Sequence, residues 1–330
     1  MPGVSGGMLF VGSCNSRFHA LDARTGVPLW HYDILRDGMQ RSFHGMMLFG
    51  DSLVFIGTDI PKGHIYAFDI KNGTVRWKHF AGLGVYGDIV GADSVLYALT
   101  KEDTLLCLKR RDGDLLWSFH QDGDPDRWND SSPCRAGDRV LFRNSGNRVF
   151  ALSAATGTPL WMRELRDDLT TTPCAEGGGV YIGCRDGTLY RLAVETGETE
   201  AELSLGGAPY GTITHDGGGL IFFIGRRGSG DALVSVEPDL GRVRWLRPAP
   251  PETEWTTYRP DIWNGAVLVG DGAGRVAAFR LQDGRMEWSL EVGGTVKTVS
   301  HTDGTLLVGT YEGELHAYDA DSIIKSGRDD

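Results

Sequence analysis

Short apolar runs of about five to seven residues alternate with clusters of Gly, Asn and Asp along the whole chain. In one unit the segments 131–138, 139–145, 148–154 and 159–165 each read as a strand. The second run of this unit has counterparts at 8–12, 53–57, 180–183, 220–225, 267–270 and 306–309. Apolar runs of this length between turn residues are typical of β-strands. We therefore predict an all-β chain in which the second strand of each unit is covered on both faces.

A glycine turn followed by a tryptophan repeats through these units. Gly26 precedes Trp30 by four residues, and the same spacing joins Gly73/Trp77, Gly113/Trp117, Gly157/Trp161, Gly241/Trp245 and Gly284/Trp288. Copies follow one another at intervals of roughly 40 to 47 residues. A repeat of this length that carries only strand signals predicts a β-propeller. We expect one domain over residues 1–330, an eight-bladed β-propeller of four-stranded antiparallel blades, with seven blades as the fallback.

Two copies depart from the motif. Gly197 keeps the turn but is followed by Ala201 in place of Trp, and residues 315–325 have lost both Gly and Trp. In the intact copies, Gly allows the positive φ of the turn and Trp offers a large flat surface to the next blade. We predict that the blade with Ala201 forms the weakest joint of the propeller.

The pattern AxDxxTGxxxW, as in ALDARTGVPLW at 20–30, resembles the PQQ-type repeat over the whole chain. This family includes quinoprotein alcohol dehydrogenases, the propeller lipoprotein of outer-membrane barrel assembly, and sensor domains of some bacterial Ser/Thr kinases. The resemblance implies a β-propeller. Many quinoprotein dehydrogenases place a disulfide between adjacent cysteines beside the quinone, and this sequence has no adjacent cysteines. We therefore expect the non-quinoprotein branch and no cofactor.

Composition and charge limit the classes of partner and the cellular compartment that we expect. The net charge of −11 disfavours binding to nucleic acid or to an anionic membrane. No apolar run approaches the length of a membrane span, and the sequence begins without a basic segment before an apolar one. The five cysteines lack CxxC spacing, so we interpret them as small buried residues in a reducing compartment. These features favour a cytoplasmic protein with no nucleic-acid or membrane partner.

Two familiar motifs lack their structural context. Residues 82–87 spell GxGxxG but lie between two strands, without the following helix that a dinucleotide site needs. Asp122, Asp124 and Asp126 imitate the start of a calcium loop, but Arg127 and Pro133 stand where Gly and Glu are required. We expect no metal site.

Polar and aromatic residues collect where the inner strands begin, which in a propeller is one mouth of the central channel. As catalytic candidates we take His44, Asp88, Tyr258 and Arg259. As binding candidates we take Arg41, Tyr86, Trp128, Asn129, Asp130, Tyr210, Trp255 and Lys297. Aromatic walls with a few charges are typical of a ligand pocket, although a water-filled channel remains the alternative. Three long connections, 31–41, 119–130 and 247–255, lead onto the same face.

Three hypotheses for function follow. The first is a cytoplasmic propeller that binds a small molecule or peptide in this funnel, with Trp128, Trp255 and Tyr258 as walls. The second is a cofactor-independent lyase, cyclase or isomerase in which His44 or Asp88 exchanges a proton. Their inner strands are neighbours in sequence order, so we expect these two side chains to meet. The third is an interaction scaffold or neutralising partner that binds another protein through its loop rim.

Overall fold

The computed structural model describes residues 2–13, 15–38, 42–59, 62–124, 126–226, 230–302, 304–319 and 323. By its internal contacts the chain divides into two compact units, Met1–Leu165 and Arg166–Asp330. Apart from one short strand of the second unit, both consist of small antiparallel sheets in which successive strands are neighbours. No helix among the described residues is long and apolar enough to cross a membrane.

The first unit contains four sheets of four strands. The first sheet has β1 (Gly3–Ser5), β2 (Met8–Gly12), β3 (Arg17–Asp22) and β4 (Pro28–Asp33), followed by a 3-10 helix (Ile34–Asp37). The second has β5 (Phe43–Gly50), β6 (Leu53–Thr58), β7 (His64–Asp69) and β8 (Val75–Phe80). The third has β9 (Val90–Ala92), β10 (Val95–Leu99), β11 (Thr104–Lys109) and β12 (Leu115–His120). The fourth has β13 (Cys134–Ala136), β14 (Arg139–Arg143), β15 (Arg148–Ser153) and β16 (Pro159–Glu164).

The second unit also contains four sheets. After β17 (Thr171–Thr172), the fifth has β18 (Cys174–Glu176), β19 (Gly179–Gly183), β20 (Thr188–Ala193) and β21 (Thr199–Ser204). The sixth has β22 (Ala208–His215), which pairs in parallel with β17, then β23 (Leu220–Arg226), β24 (Gly230–Val236) and β25 (Val243–Pro248). The seventh has β26 (Asp261–Trp263), β27 (Ala266–Gly270), β28 (Arg275–Arg280) and β29 (Met286–Glu291). The eighth has β30 (Val296–Thr302), β31 (Thr305–Thr310) and β32 (Leu315–Asp319).

These eight sheets are the blades of an eight-bladed β-propeller, which confirms the predicted fold class and blade count. Among the described residues the eighth blade has three strands. The strands predicted for residues 131–165 are β13 to β16. As the apolar runs indicated, the second strands β6 and β19 are buried along their whole length.

The repeated Gly and Trp form the joint between successive blades. The Nε1 of Trp30 donates a hydrogen bond of 2.9 Å to the carbonyl of Ile70, in the next blade. A Cβ atom at Gly73 would lie 2.5 Å from the Trp30 ring. The same contact joins Trp77 to Gly113, Trp117 to Gly157 and Trp245 to Gly284. Glycine is therefore required at this position for two reasons, the positive φ of the turn and the close approach of the Trp ring.

Where the Trp is absent, the turn of the next blade changes as well. Ala201 stands at the Trp position of the fifth blade, and the corresponding turn of the sixth blade contains Gly241. The nearest atoms to a Cβ at Gly241 belong to Asp239 and not to an aromatic ring. The positive φ of this turn is at Leu240, at 60°. Without a ring to accommodate, the turn no longer follows the pattern of the other copies.

Three of the described cysteines, Cys107, Cys174 and Cys184, are free thiols with buried side chains. Burial raises the pKa of Cys107 to about 11 and the pKa values of Cys174 and Cys184 to about 12. A neutral buried thiol is protected from oxidation by its surroundings. These cysteines therefore fit the predicted packing role, but they do not report on the redox state of the compartment. Cys14 lies outside the described residues.

Candidate functional site

Three connections of the first unit come together beside the second and third blades. They are the segment after β8, the hairpin between β10 and β11, and the long segment after β12. The amide of Lys101 in the hairpin donates to the carbonyl of Gly84, at 2.9 Å. The carbonyl of Lys101 accepts from the amide of Asn129, at 3.0 Å. One backbone residue thus ties all three segments together.

The side chain of Lys101 lies between two aromatic rings. Its Nζ is 5.2 Å from the ring centre of Tyr86 and 4.7 Å from that of Trp128. The Lys101 side chain is 6% exposed, whereas Tyr86 is 40% and Trp128 is 58% exposed. We call Tyr86, Lys101 and Trp128 the aromatic–lysine site. It combines a nearly buried cation with two accessible rings, an arrangement of the cation–π type.

His44 and Asp59 lie beneath this site. The His44 ring stacks on Tyr86 at 4.4 Å between centroids, and its Nε2 is 3.1 Å from Asp59 Oδ2. The other Asp59 oxygen accepts a 3.0 Å hydrogen bond from the amide of Ser42. Burial acts to raise the pKa of Asp59, but these hydrogen bonds and the charges of His44 and Lys101 hold it below its ordinary value. Asp59 is therefore a carboxylate at neutral pH.

The buried carboxylate of Asp103 forms hydrogen bonds with the long segment after β12. Asp103 Oδ1 accepts from Asn129 Nδ2 at 2.6 Å and from the Ser145 amide at 2.8 Å. Asn129 Nδ2 also donates to the carbonyl of Arg143, at 2.7 Å. Burial raises the pKa of Asp103, against these hydrogen bonds. Asn129, predicted as a binding residue, is 1% exposed and holds the backbone next to Trp128.

The other candidates of the first unit have separate surroundings. Asp88 Oδ1 accepts from the amide of Met46 at 2.7 Å, and the Asp88 amide donates to Ser132 Oγ at 2.7 Å. The carboxylate that the structure pairs with His44 is Asp59, from the second blade itself. Asp130 is exposed and lies 2.7 Å from Arg143 Nη2. Arg41 lies outside the described residues.

In the second unit, the candidates are divided between core and surface. Trp255 is 4% exposed and packs edge-on against Phe279, so it is a core residue and not the wall that was predicted. Tyr210 is half-buried, and its hydroxyl donates to Asp231 Oδ2 at 2.9 Å. Burial, with the charge of Asp231, raises the pKa of Tyr210.

The remaining candidates of this unit have different surroundings. Tyr258 is 65% exposed, and its carbonyl accepts from the amide of Thr212 at 2.9 Å. Arg259 is close enough to Cys174 for its charge to oppose the effect of burial on that thiol's pKa. Lys297 Nζ lies 5.2 Å from the ring centre of Tyr311.

Two carboxylates of the acidic segment after β12 have partners within the protein. Asp124 is 3.2 Å from Arg127, and Asp122 is 3.1 Å from His120. Among the residues that the structure describes, no three His, Cys, Asp or Glu side chains form a metal-binding group.

Sequence reasoning missed Asp59 and Lys101, although a signal was present. Thr58, Thr100 and Asn144 each follow or end a second strand, and the side chain of each accepts from the first amide of the third strand. The residues directly after them are Asp59, Lys101 and Ser145, which contact His44, Trp128 and Asp103, respectively. Alignment of the ends of the second strands would have placed these residues together.

Comparison with known proteins identifies the family. The sequence matches the family described as outer membrane protein assembly factor BamB over residues 1–83, 61–213 and 102–322. The chain belongs to this family. The BamB of Yersinia pestis is 23% identical over 337 residues, which cover 96% of this chain and 83% of that protein. The quinoprotein ethanol dehydrogenase of Pseudomonas aeruginosa is 26% identical over 290 residues, but these are 76% of this chain and only 40% of the dehydrogenase.

Solved structures agree on the fold. BamB from Moraxella catarrhalis superposes with a TM-score of 0.76 at 19% identity, over 97% of this chain and 96% of that one. The computationally designed Ika8 protein reaches a TM-score of 0.75 at 14% identity, over 96% and 95% of the two chains. At such identities the likeness concerns the fold alone. The resemblance to the PQQ-type repeat and its non-quinoprotein branch is thereby confirmed.

The comparisons overturn two expectations from the sequence. The main hypothesis, a cytoplasmic binder of a small molecule or peptide in the funnel, is wrong, and so is the cytoplasmic location. The relatives that span nearly the whole chain are factors of outer membrane protein assembly. The hypothesis of a protein partner agrees with these names, whereas the expected absence of a membrane partner has no support. The net charge and the lengths of the apolar runs therefore do not identify the compartment in which the protein acts.

Proposed function

We propose that this chain is a protein-binding propeller that acts in outer membrane protein assembly, and that the aromatic–lysine site is part of its binding surface. The observation that carries the proposal is the exposure of Trp128, 58%, on a segment whose backbone is fixed by buried hydrogen bonds. Tryptophan and tyrosine are enriched in protein interfaces and dominate their energetics. A large ring held in place loses little freedom when a partner covers it.

The exposure of these rings favours a protein over a small ligand. A pocket for a small molecule encloses most of its ligand, so its aromatic walls are covered by their neighbours. Tyr86 and Trp128 instead present 40% and 58% of their surfaces. A flat surface of a second protein buries such rings more completely. Membership of the BamB family supports the same choice.

Site-specific photo-crosslinking in the cells that produce this protein tests the proposal. A photoreactive phenylalanine replaces Trp128, and the matched control carries it at Leu116, which is 46% exposed on the outer strand β12. We expect position 128 to form adducts with proteins of the outer membrane assembly apparatus, identified by mass spectrometry, and position 116 to form far fewer. Adducts at position 128 that match those at position 116, or that contain only cytoplasmic proteins, would contradict the proposal.

A functional measurement complements the cross-linking. Trp128→Ala in the full chain is expected to lower the amount of folded outer membrane protein in these cells, while Leu116→Ala leaves it unchanged. Both side chains are exposed, so neither truncation removes a large packing contact. Equal outer membrane protein levels in the two variants would argue against a role for this surface.

A further inference from the structure

We infer that the aromatic–lysine site binds a carboxylate of the partner protein, one that lies beside an aromatic or large aliphatic side chain. This inference rests on the proposed function and specifies the chemistry of the partner. Three features support it: the Lys101 ammonium, which lacks a hydrogen-bond acceptor among the described residues, the open ring of Trp128, and the rigidity of the segments that carry them.

The Lys101 ammonium lacks a hydrogen-bond acceptor in the described part of the chain. Its nearest anionic atom there is Asp59 Oδ2, at 3.9 Å, which exceeds hydrogen-bonding distance. An ammonium has three N–H donors, and a nearly buried donor without an acceptor is costly. The exposed Lys78 of the same unit shows the contrast, since its Nζ lies 2.9 Å from Asp37 Oδ1. The more buried lysine is thus the one with donors to spare.

Asp59 cannot fill this role in its present arrangement. Its Oδ2 is 3.1 Å from His44 Nε2, and its Oδ1 accepts from the Ser42 amide. Each oxygen thus has another partner, and Oδ2 lies 3.9 Å from Lys101 Nζ, too far for a hydrogen bond. A further oxygen with negative charge would complete the coordination of Lys101, and charge-assisted hydrogen bonds of this kind are stronger than neutral ones.

The neighbour of the carboxylate is specified by Trp128. The ring contacts the Lys101 ammonium, yet more than half of the residue is accessible. An aromatic or large aliphatic side chain of the partner would bury this surface while the adjacent carboxylate reaches Nζ. Because Asn129 and Asp103 fix the backbone beside Trp128, the two subsites keep their spacing before the partner arrives.

The carboxylate has two sources in a protein, an acidic side chain or the chain terminus, and three capped hexapeptides distinguish them. All are otherwise glycine. The first peptide contains Phe-Asp in its centre and has an amidated C-terminus. The second is the same except that Asn replaces Asp. The third ends in Phe and has a free C-terminal carboxylate. Their dissociation constants for the full-length chain are measured by isothermal titration calorimetry.

We expect the Phe-Asp peptide, the peptide with the free terminus, or both to bind about tenfold more tightly than the Phe-Asn peptide. Lys101→Met removes the ammonium but keeps an unbranched side chain that is only one atom shorter, and it is expected to abolish this preference. Lys71→Met, at an exposed turn of the same unit, is the matched control and should retain it. Trp128→Ala should weaken all three peptides and leave the ratio between carboxylate and amide largely intact. Thermal unfolding of each variant verifies that it is folded.

Equal affinity for the Asp and Asn peptides and the free terminus, no measurable binding of any peptide, or a preference that survives Lys101→Met would each overturn the inference. None of these results alone removes the proposed function. If Trp128 still cross-links to the assembly apparatus while Lys101→Met has no effect, the surface binds protein without reading a carboxylate. If cross-linking at Trp128 also fails, both ideas fail.

Discussion

Trp77 and Trp128 belong to the same unit, yet the structure buries one and exposes the other. Trp77 is 9% exposed, and its Nε1 donates to the carbonyl of Arg110 at 2.9 Å while its ring lies against Gly113. Trp128 is 58% exposed and contacts the Lys101 ammonium. The first is part of the repeat and the second lies in the long segment between two blades. In this pair, the Trp that belongs to the Gly–Trp motif forms a joint between blades, and the Trp that lies outside the motif keeps an accessible ring.

The largest effect is expected from removing a joint. Trp77→Ala deletes a buried ring, its contact with the next blade and its hydrogen bond to Arg110. We expect the free energy of unfolding to fall by about 3–5 kcal/mol, as for other truncations of large buried aromatic residues. Chemical denaturation monitored by circular dichroism measures this change.

Trp128→Ala is the matched control for this experiment, because it makes the same truncation at an exposed position of the same unit. We expect a change within about 0.5 kcal/mol. A loss comparable to that of Trp77→Ala would mean that Trp128 is a structural residue, and the distinction between joint and binding surface would collapse.

A smaller effect is expected at the joint that lacks its Trp. Ala201 in β21 leaves the fifth blade with a smaller contact surface than Trp245 gives to the sixth blade in β25. Local opening should therefore cost less at β21, by about 1 kcal/mol. Native-state hydrogen exchange, read on the amides of residues 199–204 and 243–247, tests the difference. Equal protection of the two outer strands would show that Leu203 and Leu205 replace the missing ring fully.

The repeat made the fold predictable because the same physical requirement returns in each blade. The Gly-to-Trp spacing is visible in the sequence, and the structure assigns it to the contact between blades. The turn at Gly241 departs from the pattern where Ala201 removes the ring that the preceding blade would supply. The burial of Trp255 follows the same logic, because its bridge to Asp271 repeats the bridges of Val85 to Thr100 and of Leu169 to Cys184, and all three residues are buried. An alignment of these segments would have predicted a core residue at this position.

The candidate site was predictable only in part, for a similar reason. The sequence pointed to His44, Tyr86, Trp128 and Asn129 through the starts of the inner strands, and these residues do lie together with Lys101. The sequence order also suggested Asp88 as the partner of His44. The partner is Asp59, because the hairpin after a second strand lies beside the start of the inner strand of the same blade. Hydrogen-bond partners within such a cluster depend on side-chain geometry that spacing does not contain.

The smallest effect concerns the two carboxylates beneath the site, whose pKa values move in opposite directions. The pKa of Asp59 is lowered in the folded protein, so its contribution to stability is present above the unfolded pKa, near 4, and is lost as the pH falls through the folded value. The pKa of Asp103 is raised by burial, so its contribution is present below the unfolded pKa and is lost as the pH rises through the folded value.

Relative to Asp59→Asn, the unaltered protein should therefore lose stability on acidification below roughly pH 4. Relative to Asp103→Asn, it should lose stability as the pH rises above the same region. Urea denaturation of the three proteins across this range measures how each difference in the free energy of unfolding changes with pH. Slopes of the same sign would show that folding does not shift the pKa values of Asp59 and Asp103 in opposite directions.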